Sequence, residues 1–333
     1  MEINSNFLKV TIWVTEACNL RCIYCYEGRE KGSGCMSLDM ANKVIDWIYE
    51  EMKRNRLSFL FVRFHGGEPM LNFPIIEYII SRVNENTCIK SFFEMTTNGV
   101  NISDSQIEFI CKYIDDLSVS VDGLKEIHDK YRIDSFGNGS YESVMECVNR
   151  IRLLGKDFSI RMTLNAADVS LLEKSITHFV QAGFVNIAVL VNVFDEYWSV
   201  DDLAILKNEC KIIREKYALY EESISLPMNM IHHDIGNCTG GMNSYQIMPN
   251  GDMYPCPFLI QSRYCIGNIS SGVSEYGASF INSVLNSTVE MCEGCGGYRT
   301  CVNTKCKYLT ISVNGDINEP LPLICELTRQ CLI

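Results

Sequence analysis

KVTIWVTEACNLRCIYCYEG, residues 9–28, is the stretch from which the rest of this chain is read. Its first part, Lys9 to Thr15, is β-branched and apolar, which predicts a strand. Its second part carries Cys18, Cys22 and Cys25 in a CxxxCxxC spacing. A 4Fe–4S cube normally takes four cysteine thiolates, so three leave one iron open to another ligand. A cube with a vacant corner, near the start of a βα-type chain, is a reaction centre more than a structural staple.

Working outward, 333 residues suffice for two domains, or for one large barrel with an appendage. Hydrophobic residues at 47% and charged residues at 21% describe a soluble globular chain. A net charge of −12 without a Lys/Arg stripe argues against a nucleic-acid partner. No apolar run approaches the ~18 residues of a membrane span. The N-terminus MEINSNFLKV has no basic segment followed by an apolar core, so no secretory signal is expected. The expected location is the cytoplasm. There, 17 cysteines read as metal ligands, catalytic groups or core residues rather than disulfides. Cys88, Cys111, Cys147 and Cys210 are scattered among helical patterns as ordinary thiols. The others crowd into residues 18–35 and 238–331.

Apolar, β-rich runs at 9–15, 57–65, 91–97, 116–121, 157–164 and 185–193 alternate with amphipathic stretches. SLDMANKVIDWIYEEMKR places Met40, Val44, Ile45, Ile48 and Met52 on one helical face. Ser103 with Gln106 forms a capping box, Ser140 caps a helix that stops at Gly155, and Asp168 and Gly183 frame another. Six βα units predict parallel strands with right-handed crossovers. Six are too few for a closed eight-fold barrel. The expected fold is therefore α/β, a partial (β/α)6 TIM-like barrel over residues 1–220. A bridging segment follows at 221–237. Residues 238–333 then form a small, cysteine-rich, loop-dominated domain, with a thin core that metal crosslinks would stabilise.

In such a barrel chemistry collects at the C-terminal ends of the strands, and every distinctive loop falls there. The cysteine loop follows the first strand, His65-Gly66-Gly67-Glu68-Pro69 the second, Thr96-Thr97-Asn98-Gly99 the third, and Ser118–Gly123 ends the fourth. Any one alone reads as a turn; four in register with the cysteine loop do not. Gly66 and Gly67 would let backbone approach a ligand. Glu68 would accept from an amine, Ser120 and Arg132 would hold a carboxylate, and Asn98 and Asp122 would meet hydroxyls. An amino acid carrying a ribose fits that inventory.

These motifs resemble a radical S-adenosylmethionine enzyme, over nearly the whole chain. The resemblance implies that Cys18, Cys22 and Cys25 hold the reactive cluster. S-adenosyl-L-methionine would chelate its open iron, with Gly66, Gly67, Glu68 and Pro69 lining the methionine amine. By similarity to the sulfatase-maturing branch, Tyr24, Ser120 and Arg132 would contact the cofactor, and Leu190 its adenine side. The C-terminal cysteines resemble the SPASM extension of this family, which carries two auxiliary 4Fe–4S clusters, three cubes in all. Cys238, twelve residues, Gly251, four residues and Cys256 fit its opening element. Cys292-x2-Cys295-x5-Cys301, then Cys306 and Cys325, fit the second, with four residues rather than the usual three between Cys301 and Cys306. The implied sets are Cys292, Cys295, Cys301 and Cys325 for one cluster, and Cys238, Cys256 and Cys306 for the other. For the latter, Cys265 is a candidate fourth ligand, or the iron is open to substrate. Zinc would suit the CxxC pairs as well. Cys35 and Cys331 have no assigned role.

The resemblance also implies the reaction. A reduced cluster passes an electron to S-adenosylmethionine, and the resulting 5′-deoxyadenosyl radical abstracts a hydrogen from a peptide or protein. The leading expectation is maturation of a ribosomally made peptide by a thioether or carbon–carbon crosslink. A flavodoxin or ferredoxin would supply electrons. The first strand begins within about ten residues of the start, so a winged-helix leader-binding domain is not expected ahead of it, and a separate leader-binding protein or the barrel mouth itself would capture the precursor. The second expectation is anaerobic sulfatase maturation. That branch carries an acid directly after the cysteine matching Cys256, where this chain has Pro257. A third, a non-catalytic electron-transfer or metal-binding protein, leaves HGGEP, TTNG, Ser120 and Arg132 without a task. The catalytic acid or base is not identifiable at this stage.

Overall fold

A computed structural model describes residues 6–194, 197–227, 238–298 and 300–332, with residues 330–332 described by backbone alone. Part of the expected bridging segment (228–237) and the Cys331 side chain lie outside the described residues.

The N-terminal part runs β1 (Phe7–Thr15), α1 (Leu38–Asn55), β2 (Phe59–Gly66), α2 (Phe73–Asn84), β3 (Lys90–Thr97), α3 (Asp104–Tyr113) and β4 (Asp116–Ser120). It continues with α4 (Lys125–Tyr131), α5 (Tyr141–Leu153), β5 (Ser159–Leu164), α6 (Leu172–Gln181), β6 (Ile187–Val191) and α7 (Val200–Lys216). All six expected strands form, and each pairs parallel with the next. Apolar side chains alternate onto one face: Val10 and Ile12, Val62 and Phe64, Leu117 and Val119, Ile160 and Met162, all essentially buried beneath the helices. On α1, Val44, Ile45, Ile48 and Met52 are buried as their spacing requires, while Met40 is partly covered. Ser37 caps that helix, accepting from Met40 N at 3.1 Å.

The opposite sheet face sets charged residues beside aromatic ones such as Phe61 and Phe92. Register places Arg63 beside Glu94, Glu94 beside Asp116, and Ser120 beside Arg161. A closed barrel packs its interior with apolar layers. Here the interior also holds an ion network, with Glu94 taking Lys9 Nζ at 2.9 Å and Arg63 Nη2 at 2.6 Å.

The sheet does not end with the barrel strands. It is 11-stranded, with spatial order β11-β10-β9-β8-β1-β2-β3-β4-β5-β6-β7. β7 (Ile224–Ser225) pairs parallel with β6, and β8 (Ser244–Ile247) pairs parallel with β1. β9 (Asp252–Tyr254), β10 (Gly267–Asn268) and β11 (Gly272–Val273) add on antiparallel. The cysteine-rich piece thus shares the barrel's sheet, covering the β1 edge that would otherwise present unpaired backbone. Its helices are α8 (Glu275–Asn286), α9 (Val302–Lys305), α10 (Lys307–Asn314) and α11 (Pro322–Leu332).

Two expected caps differ. Ser103 and Gln106 form the capping box of α3. Ser140 occupies the N-cap position of α5, but its hydroxyl donates to Arg132 O at 2.8 Å instead of capping. Asp168 is no cap. It lies in a short 3₁₀ turn before α6, and its carboxylate takes Tyr131 Oη at 2.5 Å and Lys130 Nζ at 3.0 Å.

Candidate active site

The cysteine loop leaves the end of β1 and is tied down at several points. Arg21 N donates to Ile133 O at 2.6 Å and Ile23 N to Tyr131 O at 2.9 Å. Cys25 N to Cys22 O (3.2 Å) and Gly28 N to Cys25 O (2.9 Å) fold it tightly. The thiols form one electrostatic neighbourhood, Cys18 with Cys22 and Cys22 with Cys25. Leu20 N reaches Cys18 Sγ at 3.4 Å. Burial pushes the Cys18 thiol up to about 11 and raises Cys22 as well. A metal binding there must displace those protons.

His65–Pro69 braces this loop rather than offering itself to a ligand. At Gly66 (φ +154°) an added Cβ would lie 2.2 Å from Thr15 O, and at Gly67 one would lie 2.4 Å from Ala17 O. The glycines therefore permit close approach to the cysteine loop's own backbone, where ligand approach was expected. Gly67 N donates to Thr15 O at 3.2 Å and Glu68 N to Ala17 O at 2.9 Å. The Glu68 side chain is buried and already engaged. It accepts from Met70 N (3.1 Å), Thr97 Oγ1 (2.7 Å) and Asn98 N (2.7 Å). It locks the second strand's loop to the third's, and the expected acceptance from an amine would have to compete with three donors. Pro69 opens the short 3₁₀ helix Pro69–Asn72. Asn98 turns to the cysteine loop, with Nδ2 at 2.7 Å from Asn19 Oδ1 and 3.9 Å from Cys18 Sγ.

Tyr24, Asp122 and Arg132 come together. Tyr24 Oη donates to Asp122 Oδ2 and accepts from Arg132 Nη1 at 2.6 Å, and Arg132 Nη1 stands 3.9 Å from Asp122. Asp122 also accepts from Thr163 N at 2.9 Å, so it is occupied by protein where hydroxyl contacts were expected. Arg132 Nε is buried and has no hydrogen-bond partner among the described residues. A buried guanidinium N–H without an acceptor is costly, and a cofactor carboxylate is the kind of group that would satisfy it. Ser120 ends β4 half-buried, and Leu190 is half-buried on β6 beside Thr163.

Sequence reasoning passed over several residues in this space. His128, fully buried, accepts from Asp122 N at Nδ1 (3.2 Å) and meets Ser140 Oγ at Nε2 (3.0 Å), fixing the Asp122 and Arg132 loops to one another. Tyr26 Oη lies 3.4 Å from His65 Nε2, and its ring meets Phe258 at 5.1 Å. Burial, then Arg63 and Arg161, lower the His65 imidazole to about 4. No residue spacing announces these contacts. They join positions far apart in the chain.

The C-terminal cysteines lie in two neighbourhoods. Cys292 has Cys325, Cys301 and Cys295 as electrostatic neighbours, and Cys256 has Cys306 and Cys238. Asn303 Nδ2 donates to Cys325 Sγ at 3.3 Å. Cys265 packs in the same hydrophobic cluster as Cys238 and Cys256, yet its thiol donates to Gly267 O at 3.2 Å. Among the described residues, no three His, Cys, Asp or Glu converge on a single-ion site. The thiolates of a cube bind separate irons and need no such point.

Residues 12–165 match the Radical SAM superfamily. The chain carries a radical SAM domain. This family binds S-adenosylmethionine and a 4Fe–4S cluster. This radical SAM chain is 26% identical over 326 residues to the cysteine-type anaerobic sulfatase-maturating enzyme of Clostridium novyi (strain NT), spanning 85% of this chain and 83% of that one. It is 23% identical over 321 residues to the mycofactocin maturase MftC of Mycobacterium tuberculosis (strain CDC 1551 / Oshkosh), spanning 86% and 75%. Its fold superposes on the solved structure "Native anSMEcpe with bound AdoMet and Cp18Cys peptide" with a TM-score of 0.82 over 98% and 96% of the two chains. At 19% identity that likeness speaks for the fold alone. Among the described residues, no helix of the radical SAM chain is long and apolar enough to cross a membrane.

Proposed function

We propose that this enzyme matures a ribosomally made peptide by forming a thioether or carbon–carbon crosslink. The observation that carries the reading is the position of Tyr26. It is within electrostatic reach of both Cys25 of the N-terminal loop and Cys256 of the C-terminal set. Its ring packs against Phe194 and Phe258, at 6.0 and 5.1 Å. Tyr26 therefore stands, partly buried, between the two cysteine sets. That arrangement supports a substrate handled between a radical source and a second metal group.

In this reading Cys18, Cys22 and Cys25 hold the reactive cluster. Cys292, Cys295, Cys301 and Cys325 hold one auxiliary 4Fe–4S cluster, and Cys238, Cys256 and Cys306 hold another. The turn of Cys265 toward Gly267 favours leaving that last cluster an open iron, suited to the thiolate of a substrate cysteine. S-adenosylmethionine, when bound, supplies the carbon radical that takes a substrate hydrogen. Arg132 Nε and Ser120 receive the cofactor's carboxylate, Tyr24 and Asp122 hold that guanidinium in place, and Leu190 borders the adenine. Gly66, Gly67, Glu68 and Pro69 set the cysteine loop's height over the strands, with Asn98 against Cys18. A flavodoxin or ferredoxin serves as reductant in the cytoplasm.

Anaerobic sulfatase maturation is the second reading, favoured by the likeness to the Clostridium novyi enzyme. Pro257 after Cys256 stands against it, since the acid of that branch is missing. The test is to read the genomic neighbourhood for a short cysteine-bearing open reading frame and to co-express its peptide with the enzyme. A product lighter by two hydrogens is expected, with its cysteine no longer alkylated where the new bond is a thioether. An unchanged peptide, with a sulfatase active-site peptide converted to an aldehyde instead, would replace this reading with the second.

A further inference from the structure

The loop after Cys25 doubles back over the cysteines. Glu16 N donates to Gly34 O at 2.8 Å and Gly34 N to Glu16 Oε2 at 3.0 Å. Thr15 bridges Cys35, and Met36 N reaches Val14 O at 2.9 Å. Gly34 packs against the Glu16 carboxylate: a Cβ there would lie 2.2 Å from Oε2 and would oblige that side chain to move. Gly28 makes the turn at φ +88°, a region that glycine enters without strain.

This fold-back carries Lys31 inward. Its ammonium lies 2.9 Å from Cys25 Sγ and 3.4 Å from Glu27 Oε2. The two side chains are only 4% and 11% exposed. Lysine is rarely buried unless it has a charged partner; here the Glu27 carboxylate is that partner, and the Cys25 sulfur lies within hydrogen-bond distance beside it. Nothing in the expected SAM contacts needs this ion pair, and a surface Lys would stabilise the loop as well by staying in water.

We propose that Lys31 and Glu27 form an opposed charge pair that sets how easily the cluster on Cys25 takes up its electron. The inference rests on the reading of Cys25 as a ligand of the reactive cluster, and deepens it. Hydrogen bonds to the sulfurs, net charge and solvent exposure are what fix the potential of such a cluster. An added electron makes the cluster more negative. A buried ammonium donating to a ligating sulfur stabilises that reduced state and raises the potential. A buried carboxylate beside it acts oppositely, and both act strongly where water is scarce. Lys31 works through Cys25 and is a positioning and tuning residue, not a catalytic one.

The pair makes a prediction of sign that a purely structural role does not. Lys31→Met should make the cluster harder to reduce, Glu27→Gln easier, and the double variant should fall between them. Lys31→Arg, keeping charge and donor, should stay near the unmodified enzyme. The expected size is about tenfold in the reduced-to-oxidised ratio at fixed poise, ~59 mV for a one-electron couple. The measurement is a redox titration of the reconstituted holoenzymes followed by electron paramagnetic resonance. The signal that changes when S-adenosylmethionine is added identifies the open-iron cluster. Opposite shifts for the two single variants, with iron content retained, support the proposal. Unmoved potentials, or shifts in the same direction, overturn it. An iron-loaded enzyme with no signal sensitive to S-adenosylmethionine overturns the ligand reading, and the proposal with it.

Discussion

His128 shows how much of the site hangs on a single neutral side chain. Asp122 N donates to its Nδ1, so its proton sits on Nε2, pointing at Ser140 Oγ, which in turn donates to Arg132 O. A second ring proton would face an N–H. Burial, then the Arg132 guanidinium, accordingly push this imidazole down to about 3. The unfolded chain's histidine titrates near ~6.5. Between those values the unfolded state binds a proton that the native state refuses. The contribution is therefore fully present above about pH 6.5 and lost as pH falls toward 3, by at most ~1.4 kcal/mol per pH unit. Denaturant midpoints should fall between pH 6.5 and 5, and His128→Asn should flatten that slope while lowering stability overall. An unchanged slope would contradict the assignment. Tyr24→Phe is the companion case. Losing the hydroxyl leaves Asp122 and Arg132 3.9 Å apart without their shared partner. We expect a loss of about 1–3 kcal/mol and a raised KM for S-adenosylmethionine. Calorimetry and the rate of 5′-deoxyadenosine formation measure the two.

Elements hold the loops at fixed heights, and the Gly66-Gly67 step from β2 is the tightest of these joints. Gly67→Ala would drive a Cβ to 2.4 Å from Ala17 O, which is backbone and cannot yield cheaply. The cysteine loop should lift, and reconstituted iron should drop by about the four atoms of one cube. A full iron count would show that the contact is dispensable. Ser103→Ala, far from the loops, should cost ~1 kcal/mol through the lost cap of α3 and leave cofactor cleavage unchanged. At this scale the six barrel strands and α1 were legible, because long apolar alternation and a 3.6-residue face are local signals. β7, β10 and β11 were not, since strands of 2 residues leave no period to find. Asp168 misled for a related reason. Its partners Tyr131 and Lys130 come from a helix 37 and 38 positions away, and they outcompete the local cap. The partners of Glu68 and Asp122 needed the folded chain, because the contacts to Thr97, Asn98 and Thr163 join positions 29 to 41 residues apart.

The whole molecule is built on one continuous sheet, with β8 seated along β1. A chain ending at residue 220 would expose that edge of β1 along the strand that leads into Cys18. We expect it to aggregate and to lose the reactive cluster, not to persist as an independent barrel; a soluble, iron-loaded product would contradict this. The central claim is that Cys18, Cys22 and Cys25 hold an open-cornered cluster that works on S-adenosylmethionine. Its most direct test is anaerobic reconstitution, reduction and addition of S-adenosylmethionine, beside the Cys18→Ala/Cys22→Ala/Cys25→Ala enzyme. The account predicts 5′-deoxyadenosine and methionine from the unmodified enzyme at about twelve irons per chain, three cubes of four. The triple variant should give neither product and retain about eight irons. Cleavage by the triple variant, or none by a fully loaded unmodified enzyme, would contradict it.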